Sequence, residues 1–407
     1  MRRWAGALIA ILVAAAAAGL VLWFIVQPRT RGHLELARVT FASLPGWKNN
    51  DPGNALAAFR RSCGVVLRLE PDRPMGGLGY AGTAGDWRDV CSALPQTSDK
   101  VVERKWFETQ FVPFAARAGD QSDALFTGYY EPQIRASRTR HDGYSAPIYG
   151  TPRDLLTADL GLFRSELAGV RISGHAVGAH FVPFPTRAEI DAAGLSDAPV
   201  LLYTNDPVSA FFVHIQGSGR AQLDDGSMLR LAYAGQNGRP YTPIGRVLIE
   251  KGDLDRAHMS MQAIRAWLLS HPKDARSVME SDQSYVFFRE LPIGDPQLGS
   301  PGTEGVPLTP EASIAIDPGV HALGVPIYVL ADAPAADFHG QPRRFARLCI
   351  GQDTGGAIKG PVRADIYWGF GARAESIAGR MKSGGRMYVL LPKALAAHIG
   401  SRFGDGR

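Results

Sequence analysis

Apolar positions follow three patterns along this chain of 407 residues. One uncharged, mostly apolar run extends from Trp4 to Val26, and it is long enough for a helix that crosses a bilayer. Apolar residues at helical spacing predict helices over Lys100–Phe114 and from Ser260 to His271. Beyond about residue 125, short apolar runs alternate with glycine and proline turns, which predicts many short strands.

Local signals sharpen the prediction for this second part of the chain. Thr186 and Glu189 form a capping-box pattern that predicts a short helix ending at Ala193, and Asp225-Gly226 predicts a hairpin turn. Together these elements predict a mainly β fold, organised as barrels, with helices added. The predicted strands are Val200–Tyr203, Val208–Gln216, Tyr285–Phe288, Ser313–Ile316, Pro326–Leu330, Phe345–Ile350 and Arg386–Leu391.

Composition narrows the classes of protein that fit this pattern. With 45% hydrophobic and 20% charged residues, the chain can bury a core, which excludes wholesale disorder. Its 46 glycines and 28 prolines agree with many turns between short strands. A net charge of +5, with no run of Lys or Arg longer than two, excludes a dedicated nucleic-acid binder. The length allows about two to three domains.

The amino-terminal run predicts export of everything that follows it. Two interpretations stand: an uncleaved signal anchor over residues 1–30, or a signal peptide cleaved near Ala14–Ala18. The apolar run continues past these alanines to Val26, which favours the anchor. No cysteine lies near the run, so a lipoprotein anchor is not predicted. The residues after about 30 form one soluble body on one side of the membrane.

The cysteines fit an exported body. Our hypothesis is a disulfide between Cys63 and Cys91, which closes a loop of about 28 residues and contributes about 3–4 kcal/mol to stability. The alternative is that both are unpaired buried thiols. The third cysteine, Cys349, lies far along the chain in an apolar run.

No cofactor or metal site is predicted from the motifs. Gly217-Ser218-Gly219 lacks the third glycine and the helical continuation of a dinucleotide fingerprint, and HExxH, CxxC and phosphate-loop patterns are absent. The histidines are scattered, and His214 is interpreted as a hydrogen-bonded strand histidine rather than a metal ligand.

Candidate chemistry lies in polar residues within glycine-rich segments that flank strands. The segments are Phe126–Pro132, Val213–Arg220 and Leu348–Gly371. Glycines allow backbone amides to approach a ligand closely. Tyrosine and tryptophan rings stack on the apolar faces of sugars. A groove that suits a glycan is therefore one interpretation, lined by Tyr129, Tyr130, Tyr367 and Trp368; the alternative is that these rings close the ends of a barrel.

Asp365 is the carboxylate with the strongest signal for acid chemistry. Ile366, Tyr367 and Trp368 follow it directly, and burial by such neighbours raises the pKa of a carboxyl group toward that of a general acid. Asp353 lies twelve residues earlier, beyond a Gly-Gly turn, and is expected on an adjacent strand. Turn formation remains the alternative for Asp353 and for Asp317.

Several of these segments resemble the membrane-bound lytic transglycosylase A family of peptidoglycan-cleaving enzymes. They follow one order across residues 110–395, roughly 70% of the chain, and residues 1–100 lie outside the resemblance. The matching segments are Thr127–Pro132, Val213–Gly219, Tyr241–Ile249, Met259–Arg265, Ser284–Phe288 and Gly355–Gly360 with Asp365–Tyr367.

The resemblance implies a fold of two interleaved β-rich domains with a glycan groove between them. A double-psi β-barrel domain is expected from residues 31–130 and 293–407, and a smaller inserted barrel from residues 131–292. The family's three-aspartate pattern maps to Asp317, Asp353 and Asp365, and Asp365 aligns with its single catalytic acid.

The resemblance also implies a reaction that needs no metal and no cofactor. Asp365 is expected to act as acid and then base in cleaving peptidoglycan strands, with Asp353 and Asp317 in support. The residues expected to bind the sugar are Tyr129, Tyr130, Gln216, Gly217, Ser218, Gly219, Gly355, Gly356, Lys359 and Tyr367. Two alternatives stay open: a hydrolase that uses Asp353 and Asp365 as a pair, and a non-catalytic protein that binds cell-wall glycan.

The compartment follows from the amino-terminal run together with this resemblance. We expect a monomer in the periplasm that is held at the inner membrane by its amino-terminal helix, or free in the periplasm if the segment is cleaved. The lipid-modified cysteine common in the family is missing, so an outer-membrane location is not carried over.

Overall fold

The computed structural model describes residues 34–119, 124–164, 167, 170–337 and 340–399. The predicted amino-terminal anchor lies outside these residues. None of the helices within the described ranges has both the length and the apolar character needed to cross a bilayer.

Strands and helices alternate along the described chain. The strands are β1 (Leu34–Arg38), β2 (Phe111–Ala118), β3 (Ala124–Glu131), β4 (Gln133–Ser137), β5 (Ala146–Tyr149), β6 (Leu156–Asp159), β7 (Arg171–Val177), β8 (His180–Val182), β9 (Val200–Thr204), β10 (Gly219–Leu223), β11 (Met228–Gln236), β12 (Val286–Pro292), β13 (Ser313–Ile316), β14 (Pro326–Ala333), β15 (Arg343–Thr354), β16 (Arg363–Phe370) and β17 (Lys382–Pro392). The helices are α1 (Gly53–Val66), α2 (Gly85–Ser92), α3 (Lys100–Gln110), α4 (Arg187–Ala193), α5 (Pro207–Gln216), α6 (Ile244–Lys251), α7 (Met261–Ser270), α8 (Pro272–Glu280), α9 (Gly371–Ala378) and α10 (Lys393–Ile399). Short 3-10 turns lie at Phe41–Ser43, Trp47–Asn49, Leu160–Leu162 and Arg256–His258.

The first sheet closes on itself as a six-stranded barrel. Its strands follow the order β17-β14-β15-β13-β16-β3, and β3 also pairs with β17, which completes the ring. The pairs β13–β15 and β16–β3 are parallel, whereas the other pairs of the ring are antiparallel. Strands β2 and β1 extend the sheet outward from β17. Closure leaves the barrel strands without free edges, so their register is fixed on both sides.

The segment between β1 and β2 packs three helices against this barrel. Phe59 of α1 contacts the rings of Trp87, Phe107 and Phe111 at centroid distances of 5.7–6.3 Å, and all four are buried. A disulfide joins Cys63 of α1 to Cys91 of α2. The region without a family resemblance is therefore an integral part of the barrel core.

The second sheet is built from the middle of the chain. Its order is β12-β11-β10-β4-β9-β5, and a bridge between Gly150 and Phe288 joins its two edges. Its core continues into a cluster formed by α5, α6, α7 and α8. A small three-stranded sheet, β6-β7-β8, lies beside it.

A buried charge cluster lies where the chain passes from the barrel into the second sheet. Glu131, at the end of β3, is fully buried and accepts hydrogen bonds from Arg220 Nε at 2.7 Å and Arg230 Nε at 3.0 Å. Ser300 Oγ donates to the same carboxylate at 2.6 Å, and Arg220 and Arg230 also donate to the carbonyl of Leu298. The cluster connects β3 of the barrel to β10 and β11 of the second sheet and to the segment that contains Leu298 and Ser300. It therefore fixes how the two sheets meet.

The predicted fold class is confirmed: the chain is mainly β, with a barrel, an inserted second sheet and added helices. The division into residues 31–130 with 293–407 and residues 131–292 stays a prediction. The capping box at Thr186, the turn at Gly226 and the helix after Ser260 are also confirmed.

One predicted strand is wrong. Residues 208–216 lie in helix α5, which begins with Asp206 as N-cap and Pro207 at its first turn. Asp206 accepts the backbone N–H of Val208, and proline fits the first helical turn. The run resembles a strand because most of it is apolar, and periodicity alone cannot separate a buried helix from a buried strand.

Candidate active site

A cleft of about 400 Å³ lies between the barrel and the second sheet. Strand ends and loops of the barrel form its floor, and residues from the inserted segment form the opposite wall. The floor contains Thr127, Gly128, Tyr129, Ala315, Asp353, Thr354, Gly355, Gly356, Ala357, Ile358, Arg363 and Asp365. The wall contains Arg187, His214, Ile215, Gln216, Gly217, Tyr233, Gln236, Tyr241, Asp282, Ser284 and Val286.

Asp365 lies on β16 at the floor of the cleft and is half-buried. Its partner in the parallel register is Thr127 of β3, whose hydroxyl donates to Asp365 Oδ1 at 2.6 Å. Arg363 Nη2 donates to the same Thr127 hydroxyl at 2.8 Å. Among the described residues no group donates to Oδ2, so this oxygen is available to carry a proton toward the cleft.

Burial raises the pKa of Asp365 to about 6, and the charge of Asp353 contributes in the same direction. The Thr127 hydrogen bond and the Arg363 charge oppose this rise. A carboxyl group with a pKa near 6 keeps a protonated fraction near neutral pH, which a general acid requires.

Asp353 faces Asp365 across one strand. Ala315 of β13 pairs with Asp353 on one side and with Asp365 on the other, so the two aspartates lie two strands apart rather than on adjacent strands as predicted. Asp353 Oδ1 accepts the Thr303 N–H and hydroxyl, both at 3.0 Å, and Oδ2 accepts the Tyr129 hydroxyl at 2.9 Å. Burial raises the pKa of Asp353 against the effect of these donors.

Asp317 does not line the cleft. It is buried beneath the glycine-rich loop, where Oδ1 accepts the Gly319 N–H at 3.0 Å and Oδ2 accepts the Gly360 N–H at 2.8 Å. Lys359 is exposed, with Nζ 3.9 Å from Asp317, and it is not among the cleft residues. Asp317 therefore holds the loop that carries Gly355 and Gly356 into the cleft.

The predicted glycine-rich turn after α5 reaches the cleft only in part. Gln216 and Gly217 line it, and Gly217 ends α5 with a left-handed φ of 73°, which favours glycine. The Gln216 side-chain oxygen accepts the backbone N–H of Tyr130 at 3.2 Å, which ties the wall to the floor. Ser218 is half-buried outside the cleft lining, and Gly219 is buried against Val213.

The prediction that four aromatic rings line one groove is wrong for three of them. Tyr129 lines the cleft, but Tyr130, Tyr367 and Trp368 are each at most 4% exposed. Trp368 packs against Gly128, where a Cβ atom would lie 2.7 Å from the indole. Tyr367 lies behind Tyr129, with ring centroids 5.3 Å apart. Tyr130 and Trp368 pack in the barrel core, as in the barrel-closing alternative, whereas Tyr367 lies beside Tyr129 and is covered by the segment at Gly299.

The wall opposite Asp365 contains Arg187 and Asp282, which the sequence did not single out, and His214, which it placed on a strand. Arg187 Nη2 lies 3.8 Å from Asp282 Oδ2, and both side chains are buried. Asp282 Oδ1 accepts the Thr242 N–H at 2.9 Å. His214 lies on a helix rather than a strand, and its Nδ1 accepts the Val286 N–H at 3.2 Å. Burial keeps the pKa of His214 well below its ordinary value, so it is neutral.

Tyr241 supplies an exposed ring at this wall, since it is 46% exposed and lines the cleft. Thr127 and Arg363 on the floor were also missed as site residues. The available signal was weak: Thr127 and Tyr241 lie within segments that carry the resemblance, but the Arg187–Asp282 contact joins residues 95 positions apart.

Comparisons with known proteins point to one family. Residues 125–289 match the MltA specific insert domain, and residues 312–391 match the 3D domain. Membrane-bound lytic murein transglycosylase A of Escherichia coli K12 is 37% identical over 281 residues, which cover 67% of this chain and 67% of that protein.

Solved structures agree in fold as well as in sequence. A membrane-bound lytic murein transglycosylase from Agrobacterium tumefaciens has a TM-score of 0.78 and 32% identity, covering 89% of this chain and 99% of that chain. Escherichia coli MltA with bound chitohexaose has a TM-score of 0.59 and 29% identity, covering 83% of this chain and 90% of that chain. By sequence and by fold, this chain belongs to the membrane-bound lytic murein transglycosylase A family.

Proposed function

We propose that this lytic transglycosylase cleaves the β-1,4 bond between N-acetylmuramic acid and N-acetylglucosamine in peptidoglycan, with Asp365 as acid and then base. The observation that carries the proposal is the placement of Asp365. It is a half-buried carboxyl at the cleft floor whose Oδ2 accepts no hydrogen bond among the described residues and whose pKa is raised to about 6.

In the first step, protonated Asp365 donates its proton to the glycosidic oxygen. The bond between that oxygen and the muramoyl C1 breaks, the N-acetylglucosamine portion leaves as an alcohol, and positive charge develops at C1. The Asp365 carboxylate formed here is close to this charge and stabilises it. Thr127 holds the carboxylate at Oδ1, which keeps Oδ2 directed at the substrate.

In the second step, the Asp365 carboxylate takes the proton of the muramoyl C6 hydroxyl. The C6 oxygen bonds to C1 and gives a 1,6-anhydro ring, and Asp365 returns to its protonated form. No water is consumed, so a second carboxylate that activates water is not needed, unlike in ordinary glycosidases. Asp353 instead holds Tyr129 through its hydroxyl and raises the pKa of Asp365 through its charge.

Binding of the glycan is assigned to groups that line the cleft. The candidates are Gly355, Gly356 and Tyr129 on the floor and Gln216 and Tyr241 on the wall. A related enzyme from Escherichia coli was crystallised with chitohexaose, which supports a glycan as the ligand of this cleft. Relatives are named membrane-bound, which supports a periplasmic enzyme held at a membrane, with residues 4–26 as the anchor.

Analysis of the products of sacculi tests this proposal. The full chain, solubilised in mild detergent, is incubated with purified sacculi, and the released fragments are identified by mass spectrometry. We expect muramoyl ends 18 Da lighter than the corresponding reducing ends, as an internal 1,6-anhydro ring requires. Free reducing ends would instead indicate a hydrolase that uses Asp353 and Asp365 as a pair. Sedimentation with sacculi without released fragments would indicate a binding protein.

A further inference from the structure

Glu304 joins the segment that leads into β13 to helix α1. Its Oε2 accepts the hydroxyl of Ser62 at 2.6 Å, and its backbone N–H donates to the Gln352 carbonyl at 3.0 Å. Gly324 leaves the space that the carboxylate occupies, because a Cβ atom at this position would lie 2.8 Å from Glu304 Oε1. Arg61, beside Ser62, donates to the Thr309 hydroxyl of the same segment.

The residue before Glu304 is the main hydrogen-bond donor to Asp353. Thr303 gives both its N–H and its hydroxyl to Asp353 Oδ1, each at 3.0 Å. Thr303 is exposed, and its hydroxyl also lies 2.8 Å from the Thr354 hydroxyl; the neighbouring Glu304 side chain connects this segment to helix α1. Moving Glu304 moves the group that holds Asp353.

The residue before Asp353 is fixed by the same serine. Gln352 is fully buried, and its Nε2 donates to the Ser62 hydroxyl at 2.8 Å and to the Ala58 carbonyl at 3.0 Å. Its Oε1 accepts the Ser313 hydroxyl at 2.6 Å. Because alternate residues of a strand face opposite sides, Gln352 enters the core while Asp353 faces the cleft.

We infer that Glu304 and Ser62 form a positioning unit for the reaction. They hold Thr303 against Asp353, and the charge of Asp353 in turn influences the electrostatic potential at Asp365. The inference rests on the proposed function, since it assumes that Asp365 is the acid. It gives helix α1, from the region outside both matched domains, a part in the chemistry.

The inference predicts a change in the pH profile with a definite sign. When the Thr303 donors are lost, the pKa of Asp353 rises further, because these hydrogen bonds stabilise its charged form. Asp353 then carries less negative charge and raises the pKa of Asp365 less. The charged or titratable groups facing the pair are Tyr129, Arg363 and Tyr367; both tyrosines have pKa values far above neutral and the arginine stays charged. The alkaline limb of kcat therefore moves to lower pH.

The test compares three variants of the full chain, Glu304→Gln, Ser62→Ala and the double variant, with Glu103→Gln as the matched control. Glu304 is half-buried and burial raises its pKa to about 7. Glu103 is a buried glutamate whose pKa burial raises as well, but it lies on α3, away from the cleft. Release of anhydro-muropeptides gives kcat and KM between pH 5 and 8, and urea unfolding of each variant reports its stability.

We expect kcat of each single variant to fall roughly tenfold, while KM stays within about twofold of the wild-type value. The alkaline limb of the pH profile of kcat should move to lower pH. The double variant should lose no more than the worse single variant, because both act through one unit. If kcat and the alkaline limb match those of Glu103→Gln, the inference is overturned. Absence of anhydro products from the wild-type chain contradicts the proposed function instead, which keeps the two failures distinct. Should Glu304→Gln fail to fold, Ser62→Ala alone decides.

Discussion

The floor and the wall of the cleft are held in place by different means. Asp353 and Asp365 lie on strands of a closed barrel, and Ala315 between them pairs with both, so backbone ladders on each side set their spacing. Arg187 and Asp282 belong to a helix and a loop, and side-chain bonds to backbone groups position them. The floor is therefore suited to fixing reacting atoms, whereas the wall is suited to accommodating a ligand.

Replacing the acid is the strongest test of this division. We expect Asp365→Asn to lower kcat by about 10²–10⁴, the range that positioned acid–base groups supply, while glycan binding stays within about twofold. An amide keeps the shape and the Thr127 contact but cannot donate an acidic proton. Steady-state kinetics on soluble glycan fragments and equilibrium binding to sacculi measure the two effects.

The control for this variant is Asp332→Asn, a change of the same kind at an exposed position on β14. It should leave kcat unchanged. An Asp365→Asn enzyme that retained a tenth of the wild-type rate would mean that the reacting group lies elsewhere in the cleft. The acidic residues of the wall would then be the next candidates for the acid.

The junction between floor and wall should give the largest change in stability. Glu131→Ala leaves Arg220 and Arg230 buried without their carboxylate, and we expect the free energy of unfolding to fall by about 3 kcal/mol or more. Urea unfolding measures this loss. Glu290→Ala, which removes the half-buried partner of the exposed Arg138, should lower the free energy of unfolding by under about 1 kcal/mol. Equal losses for the two variants would show that the buried cluster does not join the sheets.

The sequence predicted the floor better than the wall, and the reason is physical. Asp365 is followed by apolar residues, so its burial could be read locally, and its raised pKa agrees with that reading. The wall depends on contacts between distant segments, such as Arg187 with Asp282, which no local pattern reveals.

The same limit explains the errors in the fold and in the groove. Residues 208–216 are mostly apolar, so only the Asp206-Pro207 start distinguishes the helix from a strand. Tyr130 and Trp368 face the core of the closed barrel, and Tyr367 is covered by the distant segment at Gly299. Alternation along a strand gives two faces, but only the tertiary structure says which face is inside.

A wall residue should affect binding more than chemistry. Tyr241 is exposed at the cleft, and stacked aromatic pairs contribute about 0.5–1.5 kcal/mol. For a comparable contact with a sugar, we expect Tyr241→Ala to raise KM by about two- to tenfold with kcat unchanged. Phe163→Ala, at an exposed ring outside the cleft lining, is the control. A fall in kcat without a change in KM would mean that Tyr241 acts in the chemical step, as the floor residues do. That result would contradict the division between a reacting floor and a binding wall.

The smallest effect is expected at Lys359, which the family resemblance implied as a binding residue. Its side chain is 64% exposed and its contact with Asp317 is 3.9 Å long, so the ion pair contributes at most about 1 kcal/mol. Asp317 keeps its hydrogen bonds to Gly319 and Gly360 when the lysine is lost. We expect Lys359→Ala to change KM by less than about twofold, whereas Asp317→Ala should raise it by releasing the Gly355–Gly356 loop. A fivefold rise in KM for Lys359→Ala would instead mean that a bound glycan extends past the cleft floor onto this exposed side chain.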